Sequence, residues 1–331
     1  MASLHPIGRR QAIIFCLACL AGFLGCTGAH EWLARSAGRE HTLVDDEALW
    51  ASLRRQVPHL TGDDILLLGA SRMQTDLDEA TLRELLPERR VLNLAISGKG
   101  ASFPVFQDVV DNTSFAGILV VDETVITLSS GDDQQAFVDY FHRDFTFDRR
   151  LNRAIETWLQ ERLVCLGFGQ SSIRLWLSLL SRGRLPDAVY TITDADRFTK
   201  SYFSRLRADF LAQIRRDRLA GQESPTEADE NLVATAVERW KRPLDTFRRR
   251  GGRVVFVCMP VGEERWRLNN RDGIAESQWN AIMGALQVPA INCNSSAEAF
   301  SNFDTPDASH LDAKDTDRFT RELVAKITRF F

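Results

Sequence analysis

The sequence predicts an α/β fold, a three-layer arrangement in which helices cover both faces of a doubly wound parallel sheet. Two observations predict it: short apolar runs that end in small or polar residues, and helical patterns that separate these runs. A parallel sheet is covered on both faces, so its strands appear as continuous apolar runs rather than as alternating ones. Strands that alternate with helices along the chain then favour the doubly wound arrangement.

Five segments carry the strand pattern: 64–71, 90–98, 117–122, 253–260 and 288–293. The first ends in Gly69-Ala70-Ser71 and the second in Ser97-Gly98. In doubly wound sheets, ligands bind beyond the carboxyl ends of the strands. The residues that follow these five runs are therefore the first candidates for a functional site.

Helical patterns fill most of the remaining chain. Those between the third and fourth strands are 151–166, 171–180 and 202–219, together with a helix start at Ser224-Pro225-Thr226-Glu227. A last helix is expected over 314–330. We expect one α/β domain over 40–331 that is interrupted by a mainly helical insertion at 128–252.

The N-terminal residues 1–30 have the pattern of a targeting segment. Arg9-Arg10 precede an uncharged apolar stretch from Ala12 to Gly28, which is barely long enough to span a bilayer. Three interpretations stay open: a retained signal anchor, a cleaved signal peptide, and a lipoprotein signal cleaved before Cys26. All three predict that the rest of the chain lies outside the cytoplasm.

Composition excludes several classes of function. The formal net charge is −4, from 41 basic and 45 acidic residues, and dispersed basic residues in an acidic chain argue against nucleic-acid binding. The body of the chain has no metal-binding motif and no phosphate-binding loop, so we expect no metal and no cofactor. Cys258 and Cys293 are expected to be buried thiols, with a disulfide between them as the alternative.

One set of residues matches the requirements of nucleophilic catalysis. Ser71 follows a buried strand after two small residues, and Asp307 precedes His310 by three positions in a segment before the last helix. An aspartate at this spacing can orient the imidazole, which then accepts the serine proton. The alternatives are that Ser71 is only a helix N-cap and that His310 is structural.

These segments resemble the blocks of the SGNH (GDSL-type) hydrolase superfamily. Gly69-Ala70-Ser71 is similar to the first block, with Ala in place of Asp; Asn93-Leu94-Ala95-Ile96-Ser97-Gly98 resembles the second, and Asp307-Ala308-Ser309-His310 the fourth. The resemblance implies a flavodoxin-like SGNH fold with Ser71 as nucleophile, His310 as base and Asp307 as its orienting group. It also implies that the backbone N–H group of Gly98 belongs to an oxyanion hole.

The third block departs from the family. The family has Gly-x-Asn-Asp there, whereas this chain has Val121-Asp122-Glu123-Thr124-Val125. Thr124 is the candidate for the missing oxyanion donor. An acidic side chain directed at the oxyanion would instead oppose catalysis.

Three features together resemble a narrower branch: the N-terminal membrane-anchor pattern, Gly69-Ala70-Ser71-Arg72 and the second block. It comprises envelope-anchored SGNH-like proteins that accompany polysaccharide O-acetylation or D-alanyl transfer. This implies a serine esterase or O-acyltransferase at the cytoplasmic (inner) membrane, facing the periplasm or cell exterior, with a surface polysaccharide as substrate and a membrane acyltransferase as candidate partner. Arg72 and Asn93 are the candidate substrate-binding residues, although Arg72 could instead pair with Asp76 or Asp78. A non-catalytic glycan-binding or assembly component is the alternative function.

Overall fold

The structure is a computed structural model that describes residues 8–169, 172–183, 189–220, 230–298 and 300–331. The predicted helix start at 224–227 lies outside these residues. The chain forms two compact units, Met1–Leu43 with Glu156–Val189 and Val44–Ile155 with Tyr190–Phe331. The division into a domain and an insertion at 128–252 stays a prediction.

The larger unit contains every strand of the described residues, namely β1 (Ile65–Leu68), β2 (Val91–Asn93), β3 (Ile118–Asp122), β4 (Thr191–Thr193), β5 (Thr199–Ser201), β6 (Arg253–Cys258) and β7 (Ala290–Asn292). The helices of the described chain are α1 (Arg9–Ser36), α2 (Glu47–Arg54), α3 (Ser71–Thr75), α4 (Glu79–Leu85), α5 (Phe103–Asn112), α6 (Val125–Ser129), α7 (Gln135–Asp139), α8 (Phe147–Gln160), α9 (Ser172–Arg182), α10 (Ala208–Ala220), α11 (Glu230–Arg249), α12 (Glu263–Asn269), α13 (Ile274–Leu286) and α14 (Thr316–Ile327).

Five strands form one parallel sheet in the order β2-β1-β3-β6-β7. Counted among themselves in chain order, these strands have the order 2-1-3-4-5, which is a common doubly wound arrangement. The prediction of an α/β fold with a five-stranded parallel sheet is therefore confirmed. The strand order reverses between β1 and β3, so the crevice beyond these two strand ends is the expected ligand site.

Alternate strand residues are buried on the two faces of this sheet. On one face, Ile65, Val120 and Val257 belong to an apolar cluster that also contains Leu82 of α4 and Phe319 of α14. Each of these side chains is less than 4% exposed. The cluster therefore fixes α4 and α14 against this face.

The other face is packed by aromatic side chains. The ring of Trp240 on α11 lies 5.1 Å from Phe256 of β6 and 5.0 Å from Phe106 of α5, and its indole N–H donates to Leu128 O at 3.1 Å. A buried tryptophan needs such an acceptor for its N–H group. Helices thus cover both faces of the sheet.

A two-stranded antiparallel ladder of β4 and β5 was not predicted. The helix predicted from Tyr202 begins only at Ala208, as α10. The turn between β4 and β5 contains Arg197 at φ +64°. The fully buried guanidinium of Arg197 binds the Asp45 carboxylate at 2.6 and 3.0 Å. This buried ion pair fixes the turn between β4 and β5. The residues between this turn and α10 form β5 and a short 3₁₀ turn, Phe203–Arg205.

In the smaller unit, α1 is long and apolar enough to be a membrane anchor or a signal sequence. Its 28 residues include an 18-residue window with a mean hydropathy of 2.2, and none of that window is buried. Near the other end of α1, the Glu31 carboxylate accepts hydrogen bonds from the backbone N–H groups of Val164 and Cys165 at 3.1 and 3.0 Å. These bonds fix a short 3₁₀ turn, Val164–Leu166, against the end of the helix.

Candidate active site

A cavity of about 410 Å³ lies at the carboxyl edge of the sheet. Its wall includes a residue that follows each of the five strands: Ser71 after β1, Gly98 after β2, Thr124 after β3, Val261 after β6 and Asn294 after β7. The parallel arrangement brings these segments to one edge because all five strands run in the same direction.

Within this larger unit, Ser71, His310 and Asp307 form a continuous chain of hydrogen bonds. Ser71 Oγ lies 2.8 Å from His310 Nε2, and His310 Nδ1 lies 3.0 Å from Asp307 Oδ2. These distances let His310 accept the serine proton through Nε2 when Nδ1 carries the other proton. The structure therefore brings together three residues that lie up to 239 positions apart in the sequence.

The loop that carries His310 is fixed by two buried carboxylates. Asp307 Oδ1 accepts from the backbone N–H groups of Ser309 and His310 at 2.9 and 2.7 Å. Asp76, at the end of α3, accepts from Leu311 N at 3.0 Å. Because Ser71 starts α3, this last bond ties the loop that carries His310 to the helix that begins with Ser71.

The turn into Ser71 depends on Gly69. Its φ is +151°, and a Cβ atom at this position would lie 2.7 Å from Asp122 Cβ. Only glycine allows the end of β1 to approach the end of β3 so closely. The Gly69 carbonyl in turn accepts from Gln134 Nε2 at 2.9 Å and from Ile96 N at 3.0 Å.

Gly98, a predicted oxyanion donor, lies on the cavity wall, as does Ser71. Gly98 has φ +75°, and within the described chain its N–H group donates no hydrogen bond. Its loop is held by the bond of Ile96 to Gly69 and by a bond from Ser97 N to Gln74 Oε1 at 3.1 Å. Ser71 is the first residue of α3, where backbone N–H groups have no acceptor within the helix.

Thr124 also lies on the cavity wall, but its hydroxyl is engaged in the N-cap of α6. Thr124 Oγ1 accepts from Thr127 N at 3.3 Å and lies 3.1 Å from Thr127 Oγ1. The two acidic residues before it are directed elsewhere. Asp122 accepts from Met259 N at 3.1 Å, Glu123 accepts from the N–H and hydroxyl of Ser102, and neither carboxylate lines the cavity.

The two predicted substrate-binding residues have different locations. Arg72 lines the cavity. Its guanidinium lies 3.9 Å from the Asp122 carboxylate, so this ion pair replaces the alternative pairing with Asp76 or Asp78. Asn93 is fully buried and does not line the cavity. Its Oδ1 accepts from Ala95 N at 3.0 Å, so its side chain shapes the loop that leads to Gly98.

The electrostatics of the triad favour a neutral imidazole. Burial lowers the pKa of His310, and the positive charges of Arg218 and Arg72 lower it further, against the opposing effect of Asp307. Burial alone would raise the pKa of Asp307, but the bond from His310 and the charges of His310 and Arg218 hold it below its ordinary value. At neutral pH the pair is thus a neutral base beside a carboxylate, as general-base catalysis requires.

The sequence did not reveal Arg218, which lies on α10. Its Nη1 atom is 3.1 Å from Asp307 Oδ2 and 2.6 Å from His310 Nδ1. It therefore competes with the imidazole for the same carboxylate oxygen. If Nδ1 accepted from Arg218, the proton would move to Nε2 and the ring could no longer serve as the base for Ser71.

Other cavity residues were also missed, namely Arg265 and Trp266 of α12, Trp279 of α13, and Asn292 and Asn294 at the end of β7. The sequence contained a signal for Arg265 and Trp266. The segment Val261-Gly262-Glu263-Glu264-Arg265-Trp266 directly follows a predicted strand, which is where ligand-contacting side chains are expected.

Cys258 and Cys293 are buried and free, so the disulfide alternative is wrong. Among the described residues, no group of three or more His, Cys, Asp or Glu side chains is placed to hold a metal ion.

Comparisons with known proteins do not place the chain in a family. No protein-family model matches it, and no curated protein is significantly similar to it. The functional interpretation therefore depends on the site itself.

Proposed function

We propose that this protein is an SGNH-like serine esterase or O-acyltransferase that acts on acyl esters, with acetyl as the expected group, of an extracytoplasmic polysaccharide. The observation that supports it is the hydrogen-bonded series Ser71–His310–Asp307, whose first residue, Ser71, lies on the wall of the cavity. A serine hydroxyl gains nucleophilic strength from a base that is itself oriented by a third group. Geometry of this kind identifies a catalytic triad independently of sequence position.

In the proposed reaction, Ser71 Oγ attacks the acyl carbonyl carbon while His310 Nε2 takes the hydroxyl proton. The N–H groups of Ser71 and Gly98 donate to the oxyanion that forms. His310 then returns the proton to the departing sugar oxygen, which leaves an acyl group on Ser71. Water or a second sugar hydroxyl, deprotonated by His310, removes that acyl group and restores the enzyme.

The strand order and the helices on both faces of the sheet support assignment of the fold to the SGNH type. The length and hydropathy of α1 support anchoring in a membrane. The proposal places the catalytic unit on the periplasmic or external side of the cytoplasmic membrane. A membrane acyltransferase is the proposed partner.

Hydrolysis of p-nitrophenyl acetate by the purified full-length protein tests the enzymatic proposal. We expect turnover by the wild type and its loss in Ser71→Ala. Ser309→Ala provides a matched control, because Ser309 lies on the same cavity wall but does not belong to the proposed triad. Equal turnover in wild type and Ser71→Ala would contradict the proposal.

The alternative is a non-catalytic component that binds glycan or assembles a membrane complex. The absence of the third-block asparagine and the engagement of the Thr124 hydroxyl in a helix cap favour it. Loss of one oxyanion donor costs about 3–4 kcal/mol of transition-state stabilisation. The alternative predicts that Ser71→Ala retains full function in cells.

A further inference from the structure

The charged side chains that line the cavity are all positive. Arg72, Lys99 and Arg265 lie on its wall, and among the described residues that line the cavity none is acidic. This contrasts with the chain as a whole, whose formal net charge is −4. A cleft lined by one sign of charge concentrates ligands of the opposite sign.

The cationic side chains around the cavity repel one another. The pKa of Arg265 falls to about 10 because the side chain is partly buried and faces the charges of Arg72 and Arg218. The carboxylate paired with Arg72 is Asp122, and the separation of 3.9 Å is long for an ion pair. Burial raises the pKa of both Asp122 and Asp76, and the charge of Arg72 opposes this rise. An anionic group in the cavity would relieve the mutual repulsion of the arginines.

The remaining wall offers the surfaces that a sugar ring needs. Trp266 and Trp279 provide aromatic surface, while Thr127 and Asn294 provide polar groups. Cavities with apolar aromatic walls and a few fixed polar groups are typical of small-molecule sites. An arginine fork in such a setting matches the two oxygens of a carboxylate.

We propose that the cavity binds an acidic saccharide whose carboxylates are bound by Arg265 and Lys99, in the same cavity that Ser71 lines. This inference rests on the proposed function and specifies its substrate class as an acidic polysaccharide of the uronic-acid type. Arg265 and Lys99 are specificity-determining residues in this account. They select the charged sugar, whereas the triad performs the acyl transfer.

Binding of two unesterified trisaccharides to the full-length protein tests this inference without any turnover. Tri-galacturonate carries three carboxylates and maltotriose carries none, and calorimetry in detergent at low salt gives both affinities. We expect tri-galacturonate to bind at least about tenfold more tightly, since a hydrogen bond to a charged group is worth 1.5–3 kcal/mol. We also expect the preference to decrease as salt is added.

Substitutions on one helix provide the matched comparison. Arg265→Gln should weaken tri-galacturonate binding about tenfold. Arg265→Lys keeps the positive charge but not the forked guanidinium, so its affinity should lie between those of Arg265→Gln and wild type. Arg267→Gln should bind like wild type, because Arg267 is 72% exposed, pairs with Glu263 and does not line the cavity.

Equal affinities for the two trisaccharides, or no binding of either, overturn the inference, as does an equal loss in Arg265→Gln and Arg267→Gln. The proposed catalytic function has a separate readout. A protein that hydrolyses p-nitrophenyl acetate but does not prefer tri-galacturonate refutes the charge preference alone. A protein that prefers tri-galacturonate but has no Ser71-dependent turnover refutes the catalytic proposal alone.

Discussion

Substitution of Gly69 by alanine should destabilise the larger unit, because this glycine lies where the ends of β1 and β3 meet. An added Cβ atom would lie 2.7 Å from Asp122 Cβ and 3.1 Å from Met73 Cβ. Both neighbours are buried, at 2% and 0% exposure, and cannot move aside into solvent. The φ of +151° adds backbone strain that an L residue carries and glycine does not.

The size of the effect follows from these two contributions. Overpacking in a dense core costs typically 1–3 kcal/mol, and backbone strain at such φ values is also of order 1–3 kcal/mol. We therefore expect a loss of about 3 kcal/mol, which in a unit of this size lowers Tm by roughly 6–12 °C.

Thermal unfolding followed by circular dichroism measures this shift, with Gly284→Ala as the control. Gly284 lies inside α13, and a Cβ atom there meets no heavy atom within 4 Å. That substitution should stabilise the helix by about 0.5–1 kcal/mol. A Gly69→Ala protein that unfolds at or above the wild-type temperature would refute the close approach of the two strand ends.

Three further predictions concern the charged or titratable side chains Asp307, Arg218 and Glu123. Asp307→Asn should slow fluorophosphonate labelling of Ser71 by about 10⁴-fold, because an amide favours the wrong tautomer of His310; a change below tenfold would contradict the role of Asp307. Arg218→Gln should raise the pKa of His310, because a positive charge beside the ring is removed. The acid limb of the pH profile of the labelling rate should therefore move to higher pH, and an unchanged limb or a shift to lower pH would contradict this. Burial raises the pKa of Glu123 from 4.5 to about 7, so the native state binds a proton more tightly than the unfolded chain does. The free energy of unfolding should therefore fall by about 3 kcal/mol between pH 4.5 and 7. Urea unfolding should show this loss in wild type and not in Glu123→Gln.

The strands of the sheet were predictable because each is a continuous apolar run that ends in a small or polar residue. Burial on both faces requires this pattern, as in Ile65–Leu68 and Ile118–Asp122, so tertiary context does not override it. The ladder of β4 and β5 lacked such a signal. Its residues, Thr191–Thr193 and Thr199–Ser201, are mostly polar, and its turn depends on the long-range ion pair between Arg197 and Asp45.

The candidate triad could be predicted because its parts have local signatures. A serine after a buried strand and an aspartate three residues before a histidine are visible in the sequence. Arg218 has no such signature, because it reaches the site only through the packing of α10. Arg265 has only the weaker signal that its segment follows a predicted strand. Asn93 shows the opposite case: its place in a family-like block suggested contact with substrate, whereas its side chain satisfies a backbone N–H group inside the fold.

Covalent labelling of the purified full-length protein with a fluorophosphonate, mapped by mass spectrometry, tests most directly whether Ser71 is an activated nucleophile. The account predicts modification at Ser71 and loss of the label in His310→Ala, with the control His142→Ala labelled like wild type, since His142 pairs with Asp108 away from the triad. An unmodified Ser71, or a label that persists unchanged in His310→Ala, would contradict it.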